Sequence, residues 1–144
     1  SGCVMPLVHG NTMEAMVRVW NHNACDVSVP LGQGCCGALN IHSGDLSIGR
    51  EMARRNIDLF LDHRVDKIIV ASAGCGSIMK EYGELLKDDA KYSAKASMFA
   101  QLTVDITEFL VDLPFIRPLG KVKMVKSEMR GITIRWYLPA DMVG

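Results

Sequence analysis

The chain has 144 residues, 49% of them hydrophobic and 22% charged, enough for one buried core and too apolar for a disordered segment. Sixteen basic residues balance sixteen acidic ones, so no excess of positive charge is available to neutralise phosphates or anionic lipid, which argues against nucleic acid as a partner and against direct membrane insertion. No apolar run approaches the ~20 residues of a membrane span, and Ser1-Gly2-Cys3-Val4-Met5 lacks the layout of a signal peptide, so a cytoplasmic protein is expected.

In chain order, residues 11–21 carry Met13, Met16, Val17 and Trp20 at helical spacing, with Asn11 or Thr12 as the expected N-cap. Residues 25–30 show a β-branched alternation that stops at Pro30 and predict a strand. The glycine-punctuated segment Leu31-Gly32-Gln33-Gly34-Cys35-Cys36-Gly37-Ala38 predicts a loop past that strand's carboxyl end. Ser43 or Asp45 caps a long helix marked by Leu46, Ile48, Met52, Ile57, Leu59, Phe60 and Leu61.

The apolar run Lys67-Ile68-Ile69-Val70-Ala71-Ser72 predicts a buried parallel strand, followed by Ala73-Gly74-Cys75-Gly76-Ser77. Residues 78–86 and 91–102 read as helices, and 105–111 as a short one with Asp105 as cap and Glu108 completing a capping box. From Lys121 onwards, Val122, Met124, Ile132, Ile134 and Trp136 alternate with polar residues as in strands, with Gly131 at a turn. The methionines at 13, 16, 52, 79 and 98 are assigned to packing. His22 and His63 are expected at helix C-terminal ends.

Strands alternating with helices predict an α/β fold, a Rossmann-like, open and mostly parallel sheet with flanking helices. Because Gly2-Cys3 leads at once into a loop and helix, the chain is expected to be a fragment lacking its first strand, with Cys3 past that strand's end. Cys3, the Cys35-Cys36 pair and Cys75 then fall on three successive strand-to-helix loops at one sheet edge.

Five cysteines without an export signal point to metal or redox chemistry rather than a disulfide framework. Thiolate sulfur suits both iron-sulfur clusters and zinc, so four converging thiols would accept either. Cys25 is assigned to the core. His9 and His42 flank the cysteine loops and are expected to face solvent.

Gly2-Cys3-Val4-Met5, Gly34-Cys35-Cys36-Gly37-Ala38 and Ala73-Gly74-Cys75-Gly76-Ser77, in that order, resemble the CCG cysteine-rich domain. That domain occurs in glycolate oxidase iron-sulfur subunits, in lactate-utilisation iron-sulfur proteins, and in components of anaerobic glycerol-3-phosphate dehydrogenase and of heterodisulfide reductase. The likeness to the glycolate oxidase iron-sulfur subunit extends through Gly44-Asp45-Leu46, Ala53-Arg54-Arg55-Asn56-Ile57-Asp58, Met79-Lys80-Glu81-Tyr82-Gly83 and Asp105-Ile106-Thr107-Glu108-Phe109-Leu110.

The resemblance implies an electron carrier in a glycolate- or lactate-oxidising complex. Its partner is a flavin-containing 2-hydroxy-acid dehydrogenase subunit and its acceptor a quinone or similar; any place at the inner face of the cytoplasmic membrane is owed to partners. It further implies a 4Fe-4S cluster on Cys3, Cys35, Cys36 and Cys75, with Gly34 and Gly37 letting the backbone approach, and no substrate chemistry in this chain itself. Ile78 stands where the family's fullest motif has a further cysteine, which leaves four thiolates. Residues 1–113 correspond to a first CCG domain, and 114–144 to the start of a second repeat without its cysteines. The rival expectation is a structural zinc-binding or protein-interaction module with no redox role.

Overall fold

Asp45 ends a turn and starts the longest helix, because its side chain accepts a hydrogen bond from the Ile48 amide at 3.2 Å and so satisfies one of the free N–H groups of the first turn. The computed structural model describes residues 3–113 and two further strands, Val122–Met129 and Ile132–Pro139. Its elements are α1 (Met5–Val8), α2 (Gly10–His22), α3 (Ala38–His42), α4 (Leu46–Asp62), β1 (Ile68–Val70), α5 (Ala73–Lys80), α6 (Tyr82–Leu85), α7 (Ser93–Leu102), β2 (Thr103–Asp105), α8 (Ile106–Asp112), β3 (Val122–Met129) and β4 (Ile132–Pro139).

One face of α4 is buried through Gly49, Ala53, Asn56, Ile57 and Phe60, at the three- and four-residue spacing of a single helical stripe. Small residues at the start of the stripe let α3 come close: a Cβ on Gly49 would stand 2.4 Å from Cγ1 of Ile41. Further along, Phe60 meets Phe99 of α7 edge to face, with ring centroids 5.9 Å apart. Phe99 also stacks on Tyr82 at 5.2 Å, and Ile68, Val70, Ile78, Met79 and Leu86 complete the core around these rings. Cys36 belongs to the same cluster. At its polar edge, Arg54 of α4 reaches Asp89 at 2.8 Å, tying the helix to the segment between α6 and α7.

The α/β expectation is corrected by these elements. Residues 3–113 are mostly helical, and their sheet is only two parallel strands of three residues, β1 beside β2, with Ile68 opposite Thr103 and Val70 opposite Asp105. That is not a Rossmann-like sheet with flanking helices. Residues 25–30 form no strand: Cys25 and Val27 are half-buried while Asp26 and Ser28 are exposed, so the alternation records how an irregular segment lies on the body rather than a ladder. Pro30 has no N–H to donate, and a strand needs a neighbour as well as a pattern.

Other boundaries differ for local reasons. Helix α2 begins at Gly10 with His9 as cap, so Asn11 and Thr12 lie inside its first turn. The helix expected over 78–86 is two, α5 and α6, and α5 starts early enough to include Cys75. In α6, Gly83 lies against α7, where a Cβ would make an ordinary contact with the Ser97 Cα at 3.5 Å. Met79 is in the core, whereas Met98 is exposed on α7. His22 ends α2, and His63 ends α4 with its Nδ1 2.7 Å from the Leu59 carbonyl oxygen. The capping box on α8 is present as expected. Strands β3 and β4 pair antiparallel, from Val122 opposite Pro139 to Met129 opposite Ile132; the turn at Gly131 lies outside the described residues.

Candidate functional site

The four thiols singled out from the sequence come from three separated places. Cys3 is exposed just ahead of α1, Cys35 and Cys36 lie in the loop before α3, and Cys75 is in the first turn of α5. All are free thiols. Interaction with the Cys35 thiol raises the Cys3 thiol above its ordinary value, with Cys75 adding a smaller effect of the same sign. Burial first, with the neighbouring Cys75 adding to it, pushes the Cys36 thiol up to about 12. The thiols of Cys3 and Cys35, and those of Cys36 and Cys75, are thus electrostatic neighbours.

Gly37 shapes the loop. It is the N-cap of α3 with φ +81°, a left-handed conformation that costs a side-chain-bearing residue free energy, and its amide donates to the Cys35 sulfur at 3.4 Å. A Cβ there would stand 3.4 Å from the Gly49 backbone of α4. At Gly34, by contrast, a Cβ would meet nothing within 4 Å. His9 and His42 are exposed, and Cys25 is half-buried with its thiol 3.7 Å from the Asn23 carbonyl oxygen.

Two residues given no role by sequence reasoning hold the Cys35-Cys36 loop from inside. Asn56 of α4, 3% exposed, donates to the Cys35 carbonyl at 3.0 Å and to the Tyr82 hydroxyl at 3.3 Å. Tyr82 of α6, fully buried, donates to the Cys36 carbonyl at 2.7 Å. Burial drives the Tyr82 hydroxyl well above the usual tyrosine range, with the nearby thiols of Cys36, Cys35 and Cys75 adding to it. The available signal was a polar residue, Asn56, on the apolar stripe of α4.

Thiolate sulfur is a soft donor, and four thiols match in number and kind what a thiolate-bound zinc ion or iron-sulfur cluster needs. Among the described residues, however, no three His, Cys, Asp or Glu side chains converge closely enough to hold a metal ion. The donor set fits such a group in its chemistry.

The family model of the CCG cysteine-rich domain matches residues 1–80, a stretch that contains all four thiols and Asn56. The chain belongs to the CCG family. Among curated proteins, this CCG-family chain is 40% identical over 115 residues to the probable glycolate oxidase iron-sulfur subunit of Bacillus subtilis (strain 168), covering 80% of this chain and 26% of that protein. It is 36% identical over 116 residues to the glycolate oxidase iron-sulfur subunit of Escherichia coli (strain K12), covering 78% and 28%. To lactate utilization protein A of Bacillus velezensis it is 30% identical over 125 residues, covering 87% and 52%. The CCG-family chain therefore spans about a quarter to a half of the length of these relatives. No solved structure matches it significantly. Among its described residues no helix is long and apolar enough to cross a membrane.

Proposed function

We propose that this chain is the cysteine-rich, electron-transferring segment of an iron-sulfur subunit in a glycolate- or lactate-oxidising complex. It takes electrons from a flavin-containing 2-hydroxy-acid dehydrogenase subunit and passes them to an acceptor such as quinone. Residues 1–113 form one CCG domain and 114–144 a strand-rich tail. Cys3, Cys35, Cys36 and Cys75 ligate a 4Fe-4S cluster, with Gly34 and Gly37 in the loop that approaches it.

The observation that carries this reading is the match of the CCG family model over residues 1–80, the stretch that holds all four free thiols. Family membership and the similarity to subunits named for iron and sulfur support it. When bound, the cluster supplies a one-electron redox centre. The chain's own residues set its surroundings. Cys36 and Cys75 anchor one side in the apolar core, while exposed Cys3 leaves the other side open to a partner. The Gly37 amide, already directed at the Cys35 sulfur, stabilises negative charge there and so favours the reduced form. Loading must displace the protons that the raised thiols hold.

The test is anaerobic purification with iron, zinc and sulfide analysis and visible and electron paramagnetic resonance spectra, on the wild type and Cys35→Ser. Iron with sulfide in a dithionite-bleachable chromophore, lost in the variant, is the expected result. Stoichiometric zinc without a chromophore would replace this reading with a structural zinc or interaction module.

A further inference from the structure

Adjacent cysteines present a geometric problem. Cys35 and Cys36 share a peptide bond, and both lie in a segment that belongs to no helix or strand. Peptide groups are rigid, so the directions of the two Cα–Cβ bonds follow from the rotations of the peptide planes on either side of them. In a helix or sheet those planes are held by backbone partners; here the carbonyls of both cysteines are held by side chains from 21 and 46 residues away.

The polarity of this hydrogen-bonded chain is fixed by chemistry. A carbonyl oxygen can only accept, so the Cys35 carbonyl requires the amide nitrogen of Asn56, and the Cys36 carbonyl requires the Tyr82 O–H. With its proton given to Cys36, the Tyr82 oxygen accepts from Asn56. Every bond then runs one way, from Asn56 directly to Cys35 and through Tyr82 to Cys36. Both residues are immobilised, Asn56 within the buried stripe of α4 and Tyr82 by its stack on Phe99 with ring planes 24° apart. A rigid pair buried in the core is suited to fixing an irregular loop.

We propose that Asn56 and Tyr82 are positioning residues for the thiol site: by holding the carbonyls of Cys35 and Cys36 they fix the peptide planes that set the directions of the two adjacent sulfurs. The proposal rests on the reading of these thiols as metal ligands and adds the residues that prearrange them. Tyr82→Phe isolates the effect, because the ring and its stack on Phe99 remain while the donor to Cys36 is removed. Asn56→Ser removes the amide and leaves the tyrosine in place.

The experiment uses the full chain under anaerobic reducing conditions. Cobalt(II) is titrated against a competing chelator, with the sulfur-to-cobalt charge-transfer and ligand-field bands recorded. The alkylation rates of the individual cysteines by iodoacetamide are measured separately on metal-free protein. In Tyr82→Phe the expected results are roughly a 10- to 100-fold loss of cobalt affinity, changed ligand-field bands, and several-fold faster alkylation of Cys36 relative to Cys25, with the circular dichroism spectrum retained. Wild-type affinity, spectrum and alkylation pattern in Tyr82→Phe would overturn the proposal, as would a lowered Tm with all cysteines accelerated alike. If Tyr82→Phe does not fold, Asn56→Ser decides by the same readouts. If the wild type binds no cobalt, the metal reading fails, and the ratio of Cys36 to Cys25 alkylation still decides whether Asn56 and Tyr82 hold the loop.

Discussion

Gly37 holds a left-handed backbone with φ +81°, which penalises any side chain placed there. Gly37→Ala is expected to lower stability by about 1–2 kcal/mol, whereas Gly34→Ala, with open space around it, should stay within about 0.5 kcal/mol of wild type. Urea unfolding of both variants checks the contrast, and equal losses would refute it. A second residue-level effect concerns Asp58. The Tyr92 hydroxyl donates to its carboxylate at 2.6 Å and Lys95 at 2.9 Å, and these partners, Tyr92 first, hold its pKa below the ordinary 3.8. A depressed carboxylate contributes stability that is present above the unfolded value and disappears as pH falls through the lower folded one. With the side chain 44% exposed, solvent screening limits the contribution to about 0.5 kcal/mol. Asp58→Asn should therefore be slightly less stable than wild type at neutral pH, and the two urea midpoints should converge as the pH falls through the lowered folded value.

Among the elements, α8 shows what short-range sequence can specify. Asp105 accepts from the Thr107 amide at 2.8 Å, Glu108 accepts from the Asp105 amide at 3.1 Å, and Lys80 of α5 donates to Glu108 at 2.7 Å. Because the cap closes within four residues, it was legible from Asp105 and Glu108 alone, whereas for α4 the sequence offered Ser43 or Asp45 and the cap is Asp45. Asp105→Ala should cost about 1 kcal/mol, measured as a shift in urea midpoint, and an unchanged midpoint would mean that packing alone sets this helix start. The sheet was not legible in this way. Residues 25–30 and 68–70 both carry strand-like composition, but only the second meets a partner, Thr103–Asp105, more than thirty residues away. Pairing is decided by the chain's tertiary path, which no local pattern records. The stripe of α4 was only partly read for a related reason: Leu46 and Ile48, apolar and helical in spacing, are exposed, while Gly49, Ala53 and Asn56 face inward because α3 and the cysteine loop come to lie there.

At the scale of the whole molecule, the thiols join parts of very different burial. The order of the cysteine motifs was enough to single out Cys3, Cys35, Cys36 and Cys75, but not the donors behind them, since Asn56 and Tyr82 acquire a role only when a distant loop brings its carbonyls to them. Cys36 lies within the core formed by α4, α5 and α7, and Cys75 packs against it, whereas Cys3 is exposed. A metal bound by all four thiols would crosslink the amino-terminal segment, the loop before α3 and the start of α5 in the folded state only, and so must stabilise that state. At free zinc about 100-fold above its dissociation constant, the gain is about 2.7 kcal/mol, or a rise in Tm of roughly 10 °C for a chain of this size. Since Cys36 keeps its proton to about pH 12 and must release it to bind as thiolate, the rise should be larger at about pH 8 than at about pH 6.5. Scanning calorimetry under reducing conditions, with and without zinc at the two pH values, tests both parts. Chelator should reverse the shift, Cys35→Ser should abolish it, and a zinc-independent Tm would show that the thiols do not bind metal as a set.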